Sequence, residues 1–287
     1  MKNVISAMIT ATSLLLGTAL ANASDLHVTT YNPADKSIFP VSSSLVTGEK
    51  EAILVDAQFG VGDGQALVEL IRASGKKLTR IYISNGDPDY YFGLEPIVAA
   101  FPKVEILASS AVVAHIEKTK NAKLAYWGPI LGEQAPTKIY VPQVFDKTTL
   151  TLENHTIEIR EINTHNAYLW VPSTKTALGG VLVSSGIHLW TADSKSPQAR
   201  ADWVAALTRL AALNPNTVIP GHYLGAIPPG DAAVVFTRDY LQHYEQLLHN
   251  KPDATQLVTL LKKAYPELPT DEGMVISAKV VTGEMDW

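Results

Sequence analysis

One loop of the sequence decides the fold, and it reads Ser84-Asn85-Gly86-Asp87-Pro88-Asp89-Tyr90-Tyr91-Phe92-Gly93. A mostly apolar run, Thr79 to Ile83, precedes the loop and is typical of a buried strand. A second run, Leu94 to Phe101, follows the loop and has the pattern of a helix. The loop therefore joins the carboxyl end of a strand to a helix, which is where α/β proteins place their chemistry.

The spacing within this loop resembles the metal-binding motif of the metallo-β-lactamase superfamily, Thr/Ser-His-x-His-x-Asp-His-x-x-Gly. In this chain Asn85 stands at the first histidine of the motif, Asp87 at the second and Tyr90 at the third. Only Asp89 matches the ligand that the motif has at its position. The loop keeps the frame of a hydrolase motif with an altered metal site, so the fold and the function need separate arguments.

Further motifs extend the resemblance over roughly Ser42 to Tyr223, in the expected order. Asp56 stands where the superfamily has a structural aspartate, and Pro220-Gly221-His222 matches a late motif whose histidine is a ligand. The segment Gly186-Ile187-His188-Leu189-Trp190 resembles exported members of this fold. The resemblance implies an α+β fold, a four-layer αββα sandwich of two mixed β-sheets flanked by helices.

The apolar pattern predicts the remaining elements of this sandwich. Strands are predicted over 40–47, 52–56, 104–108, 138–141, 149–152, 157–162, 167–171, 176–183 and 217–219. Helices are predicted over 63–74, from Ser109 through His115, and over 197–213, 231–250 and 253–265. Pattern alone gives only α/β or α+β, and the specific architecture comes from the resemblance.

The N-terminal residues have the composition of a cleaved signal peptide. Lys2 precedes a largely apolar stretch, Val4 to Leu20, and Ala21-Asn22-Ala23 has the small-x-small pattern of a cleavage site. A membrane anchor is disfavoured because no basic flank follows the stretch. We therefore predict a signal peptide over 1–23, a single domain over 24–287, and a periplasmic or secreted location.

Composition narrows the classes of partner. The 287 residues are 46% hydrophobic and 18% charged, which suits a soluble domain with a sizeable core. The formal net charge is −5 and the cations form no stripe, which argues against nucleic-acid binding and against membrane binding after cleavage. The chain has no cysteine, so any metal must be held by nitrogen and oxygen ligands. A small-molecule substrate or ligand remains the predicted partner.

The resemblance also implies what the metal site has lost. The mid-chain ligand histidine of the superfamily aligns with Ile162, and the bridging aspartate aligns with Val181. A dizinc centre is therefore not expected. What remains is at most one zinc or other divalent ion held by Asp87, Asp89 and His222.

Candidate site residues follow from these positions. Asp89, His222 and Asp87 are the predicted catalytic residues. The predicted pocket adds Asn85, Tyr90, Tyr91, His165, His188 and Trp190, with Trp127 as a further aromatic wall.

Two hypotheses remain open at this point. In one, the protein is a hydrolase with a reduced metal site that hydrolyses a small ester or lactone. In the other, it is a non-catalytic descendant whose aromatic cleft binds a small molecule or a partner.

Overall fold

A computed structural model describes residues 26–287 of the chain. The predicted signal peptide, 1–23, lies outside the described residues and stays a prediction. Within the described part, no helix is long and apolar enough to span a membrane.

Thirteen strands are present among the described residues. They are β1 (His27–Tyr31), β2 (Ser43–Thr47), β3 (Glu51–Val55), β4 (Lys77–Tyr82), β5 (Glu105–Ala108), β6 (Gln143–Val144), β7 (Thr149–Leu152), β8 (His155–Arg160), β9 (Tyr168–Val171), β10 (Thr176–Leu178), β11 (Ser184–Ser185), β12 (Thr217–Val218) and β13 (His222–Tyr223). The first six strands form one mixed sheet in chain order, antiparallel at β1-β2-β3 and parallel from β3 to β6. The second mixed sheet has the order β12-β10-β9-β8-β7, and β11 pairs with β13 in a small parallel ribbon.

Eight α-helices are present in the same part of the chain. They are α1 (Val61–Ser74), α2 (Pro88–Tyr91), α3 (Leu94–Ala100), α4 (Ser110–Leu131), α5 (Pro197–Ala211), α6 (Ala232–Leu248), α7 (Ala254–Ala264) and α8 (Glu272–Thr282). Local sequence explains several of the ends. The Ser196 side chain accepts a hydrogen bond from the backbone of Ala199 at the start of α5, and Asp253 and Gln256 form a capping box on α7.

Alternating side chains of the first sheet pack into two different hydrophobic cores, one on each face of the sheet. Leu45 and Leu54 face a core shared with α1, α3 and α4, whereas Val46 and Ile53 face a core shared with the second sheet. The other face of the second sheet packs through Trp170 against α5 to α8. The layers are therefore helix, sheet, sheet and helix, and the predicted αββα sandwich is confirmed.

Several predicted elements needed correction. No strand forms over 138–141, and the edge strand lies instead at Gln143–Val144. The strand predicted over 176–183 ends at Leu178, because Gly179 and Gly180 adopt positive φ angles of 74° and 71°. The helix predicted through His115 continues to Leu131. The strand β1 and the helix α8 were not predicted.

Candidate functional site

Asp56 fixes the start of the decisive loop at the end of β4. The backbone N–H of Ser84 donates to Asp56 Oδ1 at 2.7 Å, and the Ser84 hydroxyl donates to Asp56 Oδ2 at 2.6 Å. Ser84 Oγ in turn accepts the backbone N–H of Gly180 at 2.8 Å. This buried chain of hydrogen bonds holds the loop after β4 against the loop after β10, so that residues from both sheets meet at one edge.

Burial raises the pKa of the Asp56 carboxyl to about 7, although the two hydrogen bonds from Ser84 lower it. Asp56 also has a positive φ of 66°, which an aspartate adopts more readily than most residues. The superfamily position predicted to be structural is therefore occupied by a buried acid with a strongly perturbed pKa.

Asp89 and His222 are in direct contact on the floor of the site. The His222 Nε2 atom lies 2.7 Å from Asp89 Oδ2, and the Asp89 residue is 6% exposed. The Tyr90 hydroxyl lies 3.3 Å from His222 Nδ1 and donates to the Gly180 carbonyl at 3.2 Å. The His222 ring is therefore held at both nitrogens, by Asp89 at Nε2 and by the Tyr90 hydroxyl at Nδ1.

Two glycines allow this contact. A Cβ atom on Gly221 would lie 1.8 Å from the Gly180 carbonyl oxygen, and a Cβ atom on Gly180 would lie 1.9 Å from the Ala167 carbonyl oxygen. Only glycine permits this approach of the two backbones. The close approach brings His222, which directly follows Gly221, to Asp89.

Asp87 has a different set of partners. Its carboxylate contacts the Lys123 ammonium group, and its Oδ1 atom lies 3.8 Å from His115 Nε2. Lys123 Nζ also lies 3.2 Å from His115 Nε2. Burial alone would raise the pKa of Asp87, but the ion pair with Lys123 lowers it below its usual value, and the charges of His165 and His115 lower it further.

The side chains form a cleft of about 120 Å³. Its floor holds Asp89, Tyr90 and His222, and Lys123 and Asp87 form one charged wall. Most of the other lining side chains are aromatic or apolar, including Phe39, Trp127, Val181, Ile187, Trp190, Trp203 and Trp287. A concave site with apolar walls and a few polar groups is the usual form of a small-molecule site.

A further acid, Asp193, supports the aromatic wall. The indole N–H groups of Trp190 and Trp287 donate to Asp193 at 2.6 and 3.0 Å, and the two rings pack edge to face at 5.0 Å. Burial raises the pKa of Asp193, and the charge of Asp87 raises it further. The carboxylate therefore fixes the orientation of two rings at the mouth of the cleft.

The predicted pocket residues divide between the cleft and the interior. His165, His188 and Trp190 line the cleft, with His165 exposed and His188 buried. Asn85 and Tyr91 do not line it. The Asn85 amide oxygen accepts the Asp87 backbone N–H at 2.8 Å within the loop, and the Tyr91 ring is buried in the core between the first sheet and its helices.

His188 contacts a tyrosine of α6, Tyr240. Its Nδ1 atom lies 2.9 Å from the Tyr240 hydroxyl, and burial lowers its pKa. Its Nε2 atom has no hydrogen-bond partner within residues 26–287. His188 is therefore a neutral, packed histidine at the inner end of the cleft.

The donor set does not fit a dizinc centre. Ile162 packs into the core between the sheets, and Val181 presents an apolar side chain to the cleft. Burial raises the pKa of Tyr90 well above its usual value, which opposes a metal-bound phenolate. No three His, Asp or Glu side chains of the described region are grouped so that they could hold a metal ion. A single ion on Asp87, Asp89 and His222 would require Asp87 to exchange Lys123 for the ion.

Sequence reasoning missed Lys123, Phe39 and Trp287 as cleft residues. Lys123 and Trp127 lie one turn apart on α4, so both reach the same cleft, but this becomes visible only when the helix is known to extend past His115. Asp193 lies three residues after the segment Gly186 to Trp190, yet nothing in the sequence indicated its contact with two indoles.

Comparison with known proteins agrees with the fold. The family model described as Metallo-beta-lactamase superfamily matches residues 37–222. A metallo-beta-lactamase from Pontibacter korlensis is 18% identical with a TM-score of 0.54, covering 77% of this chain and 96% of that one. The DIM-1 metallo-beta-lactamase exposed to ceftazidime is 15% identical with a TM-score of 0.51, covering 77% and 98%. No curated protein sequence matches. At these identities the solved structures show a shared fold alone.

Proposed function

Because the chain belongs to the metallo-β-lactamase superfamily but keeps only Asp89 and His222 of the ligands that the resemblance implies, we propose that it binds a small molecule in the cleft without a dizinc centre. The observation that carries the proposal is the Asp89–His222 contact on the floor of an aromatic-walled cleft. The cleft keeps a carboxylate–imidazole pair. Of the other ligand positions, Ile162 and Val181 are apolar, Asn85 and Tyr90 are neutral polar residues, and Asp87 is paired with Lys123. The ligand that fits is small, with an apolar body and a polar group that reaches the floor.

Calorimetric titration of a panel of small esters, lactones and their acid products would test this proposal. We expect saturable binding of at least one class. We also expect His222→Gln to weaken it at least tenfold, while the exposed His249→Gln serves as the matched control. Equal binding by both variants, or no binding across the panel by the wild type, would contradict it.

A second candidate function is hydrolysis of a small ester or lactone, and the arrangement of Asp89 beside His222 favours it. Asp89 would take a proton from water while the water oxygen bonds to the substrate carbonyl carbon. The carbon–oxygen bond of the ester then breaks, and the leaving oxygen takes a proton from the His222 imidazolium. Proton transfer from Asp89 to His222 across 2.7 Å restores the starting state.

Measured turnover would distinguish the two candidates. Hydrolysis predicts release of acid that Asp89→Asn reduces at least a hundredfold, since general acid–base catalysis contributes roughly 10² to 10⁴ in rate. Binding without turnover supports the non-catalytic candidate. Metal content should be measured on the same protein, purified without a His-tag and without added metal.

Export is part of the proposal. The charged, apolar and small-x-small order of residues 1–23 supports it. N-terminal sequencing of the exported protein should give Ser24 first, and a sequence that still begins at Met1 would contradict it.

A further inference from the structure

Lys123 reaches the cleft from the middle of α4, a helix that belongs to neither of the loops that carry the motif. Its side chain is only 21% exposed, although lysine normally keeps its ammonium group in water. The ammonium group contacts Asp87 and lies 3.2 Å from His115 Nε2. A largely buried lysine that joins two potential metal ligands is an unusual arrangement.

The distances resemble those around a metal ion. Asp87 Oδ1 and His115 Nε2 are 3.8 Å apart. A tetrahedral zinc ion with one oxygen and one nitrogen ligand, each about 2.0–2.2 Å from the metal, separates the two ligand atoms by about 3.4 Å. The Lys123 nitrogen sits between the same two atoms at hydrogen-bond distance. An ammonium group can only donate, so His115 Nε2 accepts in this contact.

We propose that Lys123 is a resident cation that takes the place of a metal ion at Asp87 and excludes a divalent ion from that position. The inference rests on the proposed function only in locating the cleft, and it does not depend on which ligand binds there. Lys123 satisfies the charge of Asp87, and its ammonium group has three protons, of which Asp87 and His115 use two. Lys123 is thus a specificity-determining residue that makes this half of the site independent of metal.

A purely structural role for Lys123 makes a different prediction. If Lys123 served only to hold α4 against the loop, its removal would lower the melting temperature without changing the affinity for metal. If it occupies a cation position, its removal exposes Asp87 and His115 as metal ligands. Affinity for zinc therefore separates the two roles.

The test is zinc titration by calorimetry into tag-free wild type, Lys123→Met and Lys120→Met. Lys120 is the matched control because it lies on the same helix, is 24% exposed and pairs with Glu117 outside the cleft. We expect Lys123→Met to bind one zinc ion at least tenfold more tightly than wild type, and Lys120→Met to behave as wild type. Adding His115→Ala to Lys123→Met should abolish the gain.

Three results would overturn the proposal: a folded Lys123→Met that binds zinc no better than wild type, an equal gain in Lys120→Met, or wild type that already binds zinc as tightly as Lys123→Met. If Lys123→Met fails to fold, Lys123→Gln keeps a hydrogen-bond donor for Asp87 and undergoes the same titration. Failure of the ligand panel would contradict the proposed function and leave the zinc result standing, so the two failures are distinguishable.

Discussion

The two acids of the decisive loop lie two residues apart and are stabilised in different ways. Asp89 is almost fully buried and contacts His222. His222 lies more than a hundred residues later in the chain, shortly after β12. The Asp87 side chain is 25% exposed and contacts Lys123 from α4. One acid contacts a histidine from the late Pro-Gly-His segment, and the other contacts a lysine from a helix outside the motif.

The difference shows what a fold requires when metal ligands are lost. A carboxylate removed from water must be compensated by a charge or by hydrogen bonds, because an uncompensated buried charge is strongly destabilising. The site has two halves: the Asp89 half is formed by Asp89 and His222, and the Asp87 half is formed by Asp87 and Lys123. The Asp89 half has an imidazole within hydrogen-bond distance of its carboxyl group, and the Asp87 half has an ammonium group. In both halves the carboxylate therefore lies beside a nitrogen group of the protein, an imidazole in one and an ammonium group in the other.

The largest expected effect comes from Gly221→Ala, which breaks the Asp89 half at its backbone. The added Cβ would lie 1.8 Å from the Gly180 carbonyl oxygen, so the segment that carries His222 must move. We expect a loss of about 3 kcal/mol in the free energy of unfolding, measured in urea, since overpacking against backbone is costly. Gly128→Ala on α4 is the control, because the nearest atom to its Cβ is 3.9 Å away. A loss no larger than that of the control would contradict the prediction.

The pH dependence of stability tests Asp56, the buried acid that holds the loop carrying Asp87 and Asp89. The Asp56 pKa is raised in the folded protein to about 7 from an ordinary value of 3.8, so the folded state binds the proton more tightly. The contribution of Asp56 protonation to the free energy of unfolding is fully present below pH 3.8 and is lost as the pH rises towards 7. Between pH 5 and pH 7 the loss should be about 2 kcal/mol.

Asp56→Asn provides the comparison for that pH effect, because its side chain stays neutral at every pH. The difference in unfolding free energy between wild type and Asp56→Asn should change by that amount over the same window. Parallel curves for the two proteins would show that Asp56 does not titrate there.

Removing one charge from each half compares the two directly. Asp89→Asn should lower the unfolding free energy by about 2 kcal/mol, because the buried hydrogen bond between the Asp89 carboxyl group and His222 is disrupted. Asp87→Asn should cost under about 1 kcal/mol, because the partly exposed Lys123 can turn towards water. Urea unfolding of the two variants checks the order, and a larger cost for Asp87→Asn would reverse our view of which half is more tightly bound.

The smallest effect separates two neighbouring tyrosines. Tyr90→Phe removes the hydroxyl that contacts Gly180 and His222, and it should cost about 1 kcal/mol. Tyr91→Phe should be nearly neutral, because the Tyr91 hydroxyl has no hydrogen-bond partner in the described part of the chain. Thermal unfolding of both variants measures the difference, and equal losses would argue against a role for the Tyr90 hydroxyl in the Asp89 half.

Sequence was sufficient for the fold and for the meeting of Asp89 with His222. Both residues follow short strands, and the order of motifs along the chain indicated which loops meet. The strand predicted over 176–183 was too long because its apolar residues outweighed Gly179 and Gly180 in the pattern. Those glycines take left-handed conformations that end the strand and bring the Gly180 carbonyl to Tyr90.

The Asp87 half was beyond sequence reasoning for a physical reason. The helix α4 fully buries one side chain, Ile116, so it has no apolar stripe from which its length could be predicted. Lys123 lies in a polar stretch that resembles an exposed surface. Its burial depends on how the whole helix packs across the loop, which is a property of tertiary structure.

The aromatic walls of the cleft also have an optical consequence. Of the five tryptophans in the chain, Trp127, Trp190, Trp203 and Trp287 line the cleft, and only Trp170 does not. Trp170 lies in β9, with its ring 5% exposed in the core under α5 to α8. Intrinsic fluorescence therefore reports mainly on the cleft, and a Trp170→Phe protein would emit from cleft indoles alone. A molecule that binds in the cleft against Trp190 and Trp287 would shift this emission without any attached label.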